Sequence, residues 1–249
     1  MKEKIPTPLE MAHQGEVRLK KMADPVRAEQ ARRYFKEEAY FHGVNAPDLR
    51  KLARDLHETV KKVWTLDHAL QFCEALLPNR YHEVKGLGIL ILVRFKRDLP
   101  IDFMERLHGW LTCNYLNSWA LVDVTCPDLM GALLEKNPTL TEKIKDWAAS
   151  ENRWVRRASL VSFIKLAKKK QFHDCIYQLS ALHFSDRDDL IRKANGWLLR
   201  ETGKMDLKRL ERFLLDHGPS IPRTTLRYAI ERFEEPQRKA ILKITRTLP

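Results

Sequence analysis

Val155-Arg156-Arg157-Ala158 is one instance of a pattern that recurs along the chain, and the recurrence decides the fold. Val84-Lys85-Gly86-Leu87, Ile191-Arg192-Lys193-Ala194 and Leu226-Arg227-Tyr228-Ala229 repeat it: an apolar residue, a basic residue, and a small or apolar residue at the fourth place. Val122-Asp123-Val124 stands in the same phase, with an acid where the others carry a base. The starts at 84, 122, 155, 191 and 226 are separated by 38, 33, 36 and 35 residues, a period that accommodates two helices.

A period of this length in a helical chain predicts an all-α fold, an α-α superhelix (HEAT-like repeat solenoid) with a concave basic groove. Each hairpin buries one face against its neighbours, and the second helices line the concave side. Residues 63–249 carry the repeats, and residues 1–62, which fit the period less well, are expected to cap them. No linker is long or polar enough to divide the chain, so 1–249 is read as a single HEAT-like solenoid domain.

Helical periodicity fills the rest, while β-branched alternation and hairpin dipeptides are nearly absent. It predicts helices over 9–23, 25–36, 46–61, 66–77, 81–96, 101–114, 118–136, 141–149, 154–169, 172–182, 187–202, 207–217, 223–232 and 236–245. Pro127 follows Asp123 by four residues and removes the amide that would bond its carbonyl, so a kink or break is expected just past the acid. Asp67, Asp206 and a Thr139/Glu142 capping box mark starts, and Pro47 suits a first turn.

The 249 residues are 44% hydrophobic and 31% charged, with a formal net charge of +12. That excess favours a polyanionic partner, nucleic acid first and an anionic membrane surface second. It is concentrated: residues 153–204 hold twelve Lys/Arg against five Asp/Glu. Cys73, Cys113, Cys126 and Cys175 have neither zinc nor disulfide spacing and read as buried thiols of a reducing compartment. The N-terminal stretch lacks a signal-peptide core, and Leu87–Val93 is too short to span a bilayer. No membrane role is expected. The nine histidines form no HExxH-type pattern, which gives metal catalysis no support.

Asn117-Ser-Trp-Ala-Leu-Val-Asp123 is the candidate site. In a helix Trp119 and Asp123 share one face, a turn apart. If equivalent positions of successive repeats converge, this pair meets Trp154 and Arg157 from the next repeat and Trp197 from the one after. A lone acid on a basic face repels the phosphates around it unless it meets a cation.

At this point the chain resembles a known family, the AlkD-like bacterial DNA glycosylases of alkylation repair. The resemblance spans nearly the whole sequence. It rests on Tyr40-Phe41-His42-Gly43-Val44-Asn45-Ala46-Pro47, on Ser118-Trp119 followed by Val122-Asp123, on Arg153-Trp154-Val155-Arg156-Arg157-Ala158, and on Lys193-Ala194-Asn195-Gly196-Trp197-Leu198-Leu199-Arg200-Glu201. The resemblance implies a HEAT-like solenoid that wraps duplex DNA and excises N3- and N7-alkylated purines, leaving an abasic site. It implies Asp123 as catalytic acid, Trp119 and Trp197 as site tryptophans and Arg157 as site arginine. The chain departs from the family beside the acid: a second tryptophan is expected where Ser118 stands, and a polar residue near Ala120.

Asn45, Arg153, Trp154, Arg156, Arg192, Lys193 and Arg200 are the expected DNA contacts. No cofactor or metal is expected. The excision is read as monofunctional, because no lysine sits in the matched motifs as a Schiff-base nucleophile. The expected actor is a monomer in the bacterial cytoplasm or nucleoid, its partner double-stranded DNA containing alkylated purines. The alternative is a non-catalytic HEAT-like scaffold that binds nucleic acid or an acidic protein.

Overall fold

The computed structural model describes residues 5–246, and among these no strand forms; Tyr40 and Tyr81 make an isolated bridge. The chain divides into two units, Met1–Thr125 and Cys126–Pro249.

The first unit holds α1 (Pro8–Lys21), α2 (Pro25–Arg32), α3 (Ala46–Val60), α4 (Leu66–Leu76), α5 (His82–Leu92), α6 (Phe103–Thr112) and α7 (Trp119–Thr125). Helix α5 lies at its centre, against α1, α3, α4 and α7, and is buried along nearly its whole length. The second unit holds α8 (Leu129–Lys136), α9 (Thr141–Asp146), α10 (Arg153–Val161), α11 (His173–Leu182), α12 (Asp189–Gly203), α13 (Leu207–His217), α14 (Arg223–Ala229) and α15 (Glu235–Ile244). Here α12 packs against α10, α11, α13 and, most extensively, α14.

The repeat residues explain this order. Val84, Val122, Val155, Ile191 and Leu226 all fall in the first turn of their helices, α5, α7, α10, α12 and α14, and none is more than 1% exposed. The fourth-place residues Leu87, Ala158, Ala194 and Ala229 are equally buried. Within the first unit these positions seat α5 against α7, and within the second α10 against α12 and α12 against α14, which is how a repeat stack buries its core.

Polar bonds keep the same register. Lys85 reaches Tyr115 at a separation of 30 residues, Arg156 reaches Asp186 at 30, Lys165 reaches Asp128 at 37, and Arg106 reaches Glu74 at 32. Close approach is enforced at Gly196, where a Cβ would stand 2.4 Å from Tyr228 Cβ and 2.6 Å from the Thr225 carbonyl. The neighbouring Asn195 is fully buried and donates to the Ser180 carbonyl at 2.9 Å, tying α12 to α11.

Several boundaries differ from the periodicity. The 118–136 stretch is two helices, α7 and α8, broken at Pro127 as its missing donor requires. The 81–96 and 154–169 stretches end early, in 3₁₀ turns at Val93–Asp98 and Leu166–Lys168. Helix α2 stops at Arg32 rather than 36, which releases Phe35 to turn inward. The Thr139/Glu142 box does not form, because Pro138 opens a 3₁₀ turn through Leu140 and α9 begins at Thr141 without a side-chain cap. Asp206 does cap α13 through the Arg209 amide at 2.9 Å. Of the cysteines, Cys73 and Cys126 are buried, but Cys113 is exposed and Cys175 partly so, because they lie toward the ends of α6 and α11 rather than on core faces.

Candidate active site

Helix α7 has only seven residues and needs external support to hold its shape. Ser118 supplies part of it: its hydroxyl accepts from the Leu121 amide at 3.3 Å, and its carbonyl accepts from Val122 at 3.1 Å. Ser118 is 1% exposed, so the position where a second tryptophan is expected holds a buried cap instead. Thr125 closes the other end by donating to the Leu121 carbonyl at 2.6 Å.

The loop ahead of Ser118 is tethered by a lysine. Lys85 Nζ donates to the Tyr115 carbonyl at 2.7 Å and to Asn117 Oδ1 at 3.2 Å, with the whole residue 5% exposed. Burial lowers this ammonium from 10.5 to about 8.

On α7 itself Trp119 and Asp123 are both half-buried and stand one turn apart. The Trp119 indole lies flat on Phe35, centroids 5.1 Å apart and planes 11° from parallel. Phe35 in turn touches Phe41 at 5.1 Å and His82 at 5.4 Å, and Phe41 stacks on His82 at 4.6 Å. Burial pushes the His82 imidazole down to about 4, although its bond to the Tyr40 carbonyl favours the charged form. Trp119 therefore sits on a neutral aromatic platform.

The loop that feeds this platform is shaped by Glu83. Its buried carboxylate accepts from the amides of His42 at 3.0 Å, Gly43 at 2.8 Å and Val44 at 3.2 Å. Gly43 has φ of +83°, and a Cβ there would stand 2.1 Å from the Asp24 carbonyl, so only glycine fits. Asn45 follows and caps α3, accepting from the Asp48 amide at 2.9 Å and donating to the Asp48 carboxylate at 2.7 Å.

Asn45 also lines an apolar cavity of about 370 Å³ whose far wall is the Ala120, Leu121 and Val124 flank of α7. Neither Trp119 nor Asp123 lines it. Adjacent helical positions point about 100° apart, so the acid and the indole face away from this cavity. The chemistry-bearing face of α7 is not a base-sized pocket of the first unit.

The second unit carries the remaining expected residues. Arg157 is 5% exposed and donates to the Leu190 carbonyl, tying α10 to α12. Trp154 is also 5% exposed, with the Arg153 guanidinium 5.7 Å above its ring. Trp197 is half-buried on α12, which turns Asn195 and Gly196 inward.

The basic residues divide by how firmly the unit holds them. Arg156 is fixed by Asp186 at 2.8 Å and by the carbonyls of Ser150 and Glu151 at 2.8 and 2.9 Å. Burial alone would raise the Asp186 carboxyl, but His183, the Asp188 amide and Arg156 together hold it well below the usual range. Arg192 Nε donates to the Asp186 carbonyl at 2.7 Å. Arg200 pairs with Glu231, and its side chain is 18% exposed. Arg153 and Lys193 are more exposed, pairing with Asp188 and Asp189 at 2.7 Å while keeping 43% and 41% of their side-chain surface. The bond to Asp189 raises the Lys193 ammonium above its ordinary value. The Lys193–Asp189 pair is exposed on both sides and worth only about 0–1 kcal/mol.

The repeat's basic slot is thus used chiefly for bonding between and within repeats, by Lys85, Arg156 and Arg192. Reading the repeat alone missed Lys85 as a tether and Phe35 as the support beneath Trp119. Lys85 carried a signal, since it shares its slot with Arg156 and Arg192. Phe35 carried none, because it lies outside the period.

No group of three or more His, Cys, Asp or Glu among the described residues is arranged to hold a metal ion, and no helix among them is long and apolar enough to cross a membrane.

Comparison with known proteins agrees with this architecture. The family model for DNA alkylation repair enzyme matches residues 16–233. A solved structure from Enterococcus faecalis, described as a predicted DNA alkylation repair enzyme, shares 19% identity and superposes with a TM-score of 0.74, covering 86% of this chain and 97% of that one. No curated protein sequence matches. The chain belongs to the DNA alkylation repair enzyme family.

Proposed function

We propose that this protein is a monofunctional DNA glycosylase of base-excision repair that hydrolyses the N-glycosidic bond of N3- or N7-alkylated purines in duplex DNA. The observation that carries the reading is the pairing on α7 of a half-buried carboxylate, Asp123, with a half-buried indole, Trp119, one turn before it. Family membership supports the same direction.

The chemistry follows from the substrate. Alkylation at N7 or N3 makes the purine cationic, so it leaves without prior protonation. The enzyme must stabilise the cationic deoxyribose as the bond lengthens and admit a water. A carboxylate facing the sugar does both, by opposing the positive charge and by orienting or deprotonating the water. Asp123 takes that role. Trp119 and Trp197 hold the cationic nucleoside through their ring faces, each contact worth roughly 1–2 kcal/mol when desolvated. Arg157 acts at the site through its guanidinium. Arg153 and Lys193 contact phosphates of the bound strand. Asn45, Trp154, Arg156, Arg192 and Arg200 shape the DNA-binding surface, with affinity that falls as salt rises. The protein acts as a monomer in the bacterial cytoplasm or nucleoid and needs no cofactor.

The test is release of free base from duplexes carrying N7-methylguanine, N3-methyladenine or a bulky N3-adenine adduct, with abasic sites scored as alkali-labile breaks. Release from any of them, with the opposite strand intact, supports the glycosylase. Tight duplex binding with no release across the panel supports the non-catalytic scaffold instead.

A further inference from the structure

A second concave site, lined by three arginines, lies in the second unit. The pocket, of about 350 Å³, is walled by Arg192 from α12, Arg223 from the start of α14 and Arg246 beyond α15, with Ser220, Pro222 and Thr245 between them. None of the residues that line it is acidic.

The three guanidinium groups are held differently. Arg223 is anchored: Nη1 donates to Thr245 Oγ1 and Nη2 to the Leu242 carbonyl, both at 3.1 Å. Arg192 is fixed through Nε, which donates to the Asp186 carbonyl at 2.7 Å. Among the described residues its two terminal nitrogens bond no protein group, and neither does the Arg246 side chain. Burial lowers the Arg223 guanidinium, and Arg227 and Arg246 push in the same direction.

Like charges lining a polar hollow that has no acidic side chain among its described residues repel one another, and this costs stability unless an anion joins them. The forked donors of arginine match the oxygens of a phosphate in pairs. We propose that Arg192, Arg223 and Arg246 form a phosphate-binding site distinct from the α7 acid. Its occupant is a phosphate of a DNA strand or a free phosphate group. The strand as source rests on the function proposed above; the site itself does not.

The experiment uses the full chain and two probes, inorganic phosphate and an undamaged 12-base-pair duplex. Arg246→Gln is the main variant, since its side chain makes no protein bond among the described residues. Arg223→Lys is the second, and thermal melting checks that each variant folds. Phosphate is expected to shift the arginine Nε–H signals of the wild type and to raise its melting temperature, with both effects lost in Arg246→Gln.

If the occupant is a strand phosphate, the variant also makes the dependence of log affinity on log salt shallower by about 0.9. Phosphate binding lost in the variant with an unchanged salt slope assigns the site to a free phosphate. A wild type that binds phosphate here but no duplex keeps the site and removes the DNA reading. Unchanged phosphate response and unchanged salt slope in both variants overturn the proposal.

Discussion

Trp119 lies flat on Phe35, 5.1 Å between ring centroids, so one face of the indole is already occupied by the protein. Any cationic nucleoside must use the other face, and Phe35 holds that face in place. Trp119→Ala and Trp197→Ala are each expected to slow excision of an N7-methylated purine about 5- to 30-fold, the equivalent of roughly 1–2 kcal/mol. Affinity for undamaged duplex should change far less. Phe35→Leu should lower excision as well, although Phe35 is buried and its side chain offers little surface to DNA. Full activity in both tryptophan variants would remove the cation–π account.

Glu83 collects three backbone amides from the 42–44 loop, an arrangement only an acceptor-rich carboxylate supports. Glu83→Gln turns one oxygen into a donor facing donors. A loss of about 2–4 kcal/mol in urea unfolding is expected. A change under about 0.5 kcal/mol would mean the loop is held some other way.

His82 gives the fold an acid sensitivity whose direction is fixed. Its folded value, about 4, lies below its ordinary value of 6.5, and the residue is 6% exposed. Above pH 6.5 it is neutral in both states and its contribution is complete. As pH falls toward 4 the unfolded chain gains a proton that the folded one refuses, so stability drops, by up to about 3 kcal/mol. Urea midpoints at pH 7, 5.5 and 4.5 should fall in that order, and His82→Leu should flatten the trend.

Lys85 is a buried cation bonded to a carbonyl and an amide oxygen. Lys85→Met removes both the cost of burying the ammonium and its two bonds. The fold is expected to change by no more than about 1–2 kcal/mol, since these effects oppose each other. The 115–117 loop loses its tether, however, and the start of α7 with it. Single-turnover excision should therefore slow while affinity for undamaged duplex holds. Equal loss of both would assign Lys85 to folding alone.

The inner helices were legible because burial at one apolar and one small position per period leaves a mark that hydrophobic spacing can find. Val84, Val122, Val155, Ile191 and Leu226 all landed in first turns. The break after Asp123 was legible too, because a proline's missing donor is a local fact. The role of the basic slot was not. A lysine or arginine looks the same in sequence whether it bonds a phosphate or a protein oxygen thirty residues away, as Lys85 does with the Tyr115 carbonyl and Arg156 with the Asp186 carboxylate. The platform under Trp119 was hidden for another reason. Phe35 reaches it only because α2 ends at Arg32, a boundary that periodicity over 25–36 did not mark.

The most direct test of the central claim is the single-turnover rate of purine release from a duplex carrying N7-methylguanine, compared between the wild type and Asp123→Asn. The substitution keeps the size and removes the charge. The account predicts a fall of at least about 100-fold, in the range of a lost general base or electrostatic stabiliser, with affinity for undamaged duplex unchanged. An asparagine variant that releases the base within twofold of the wild-type rate would contradict it.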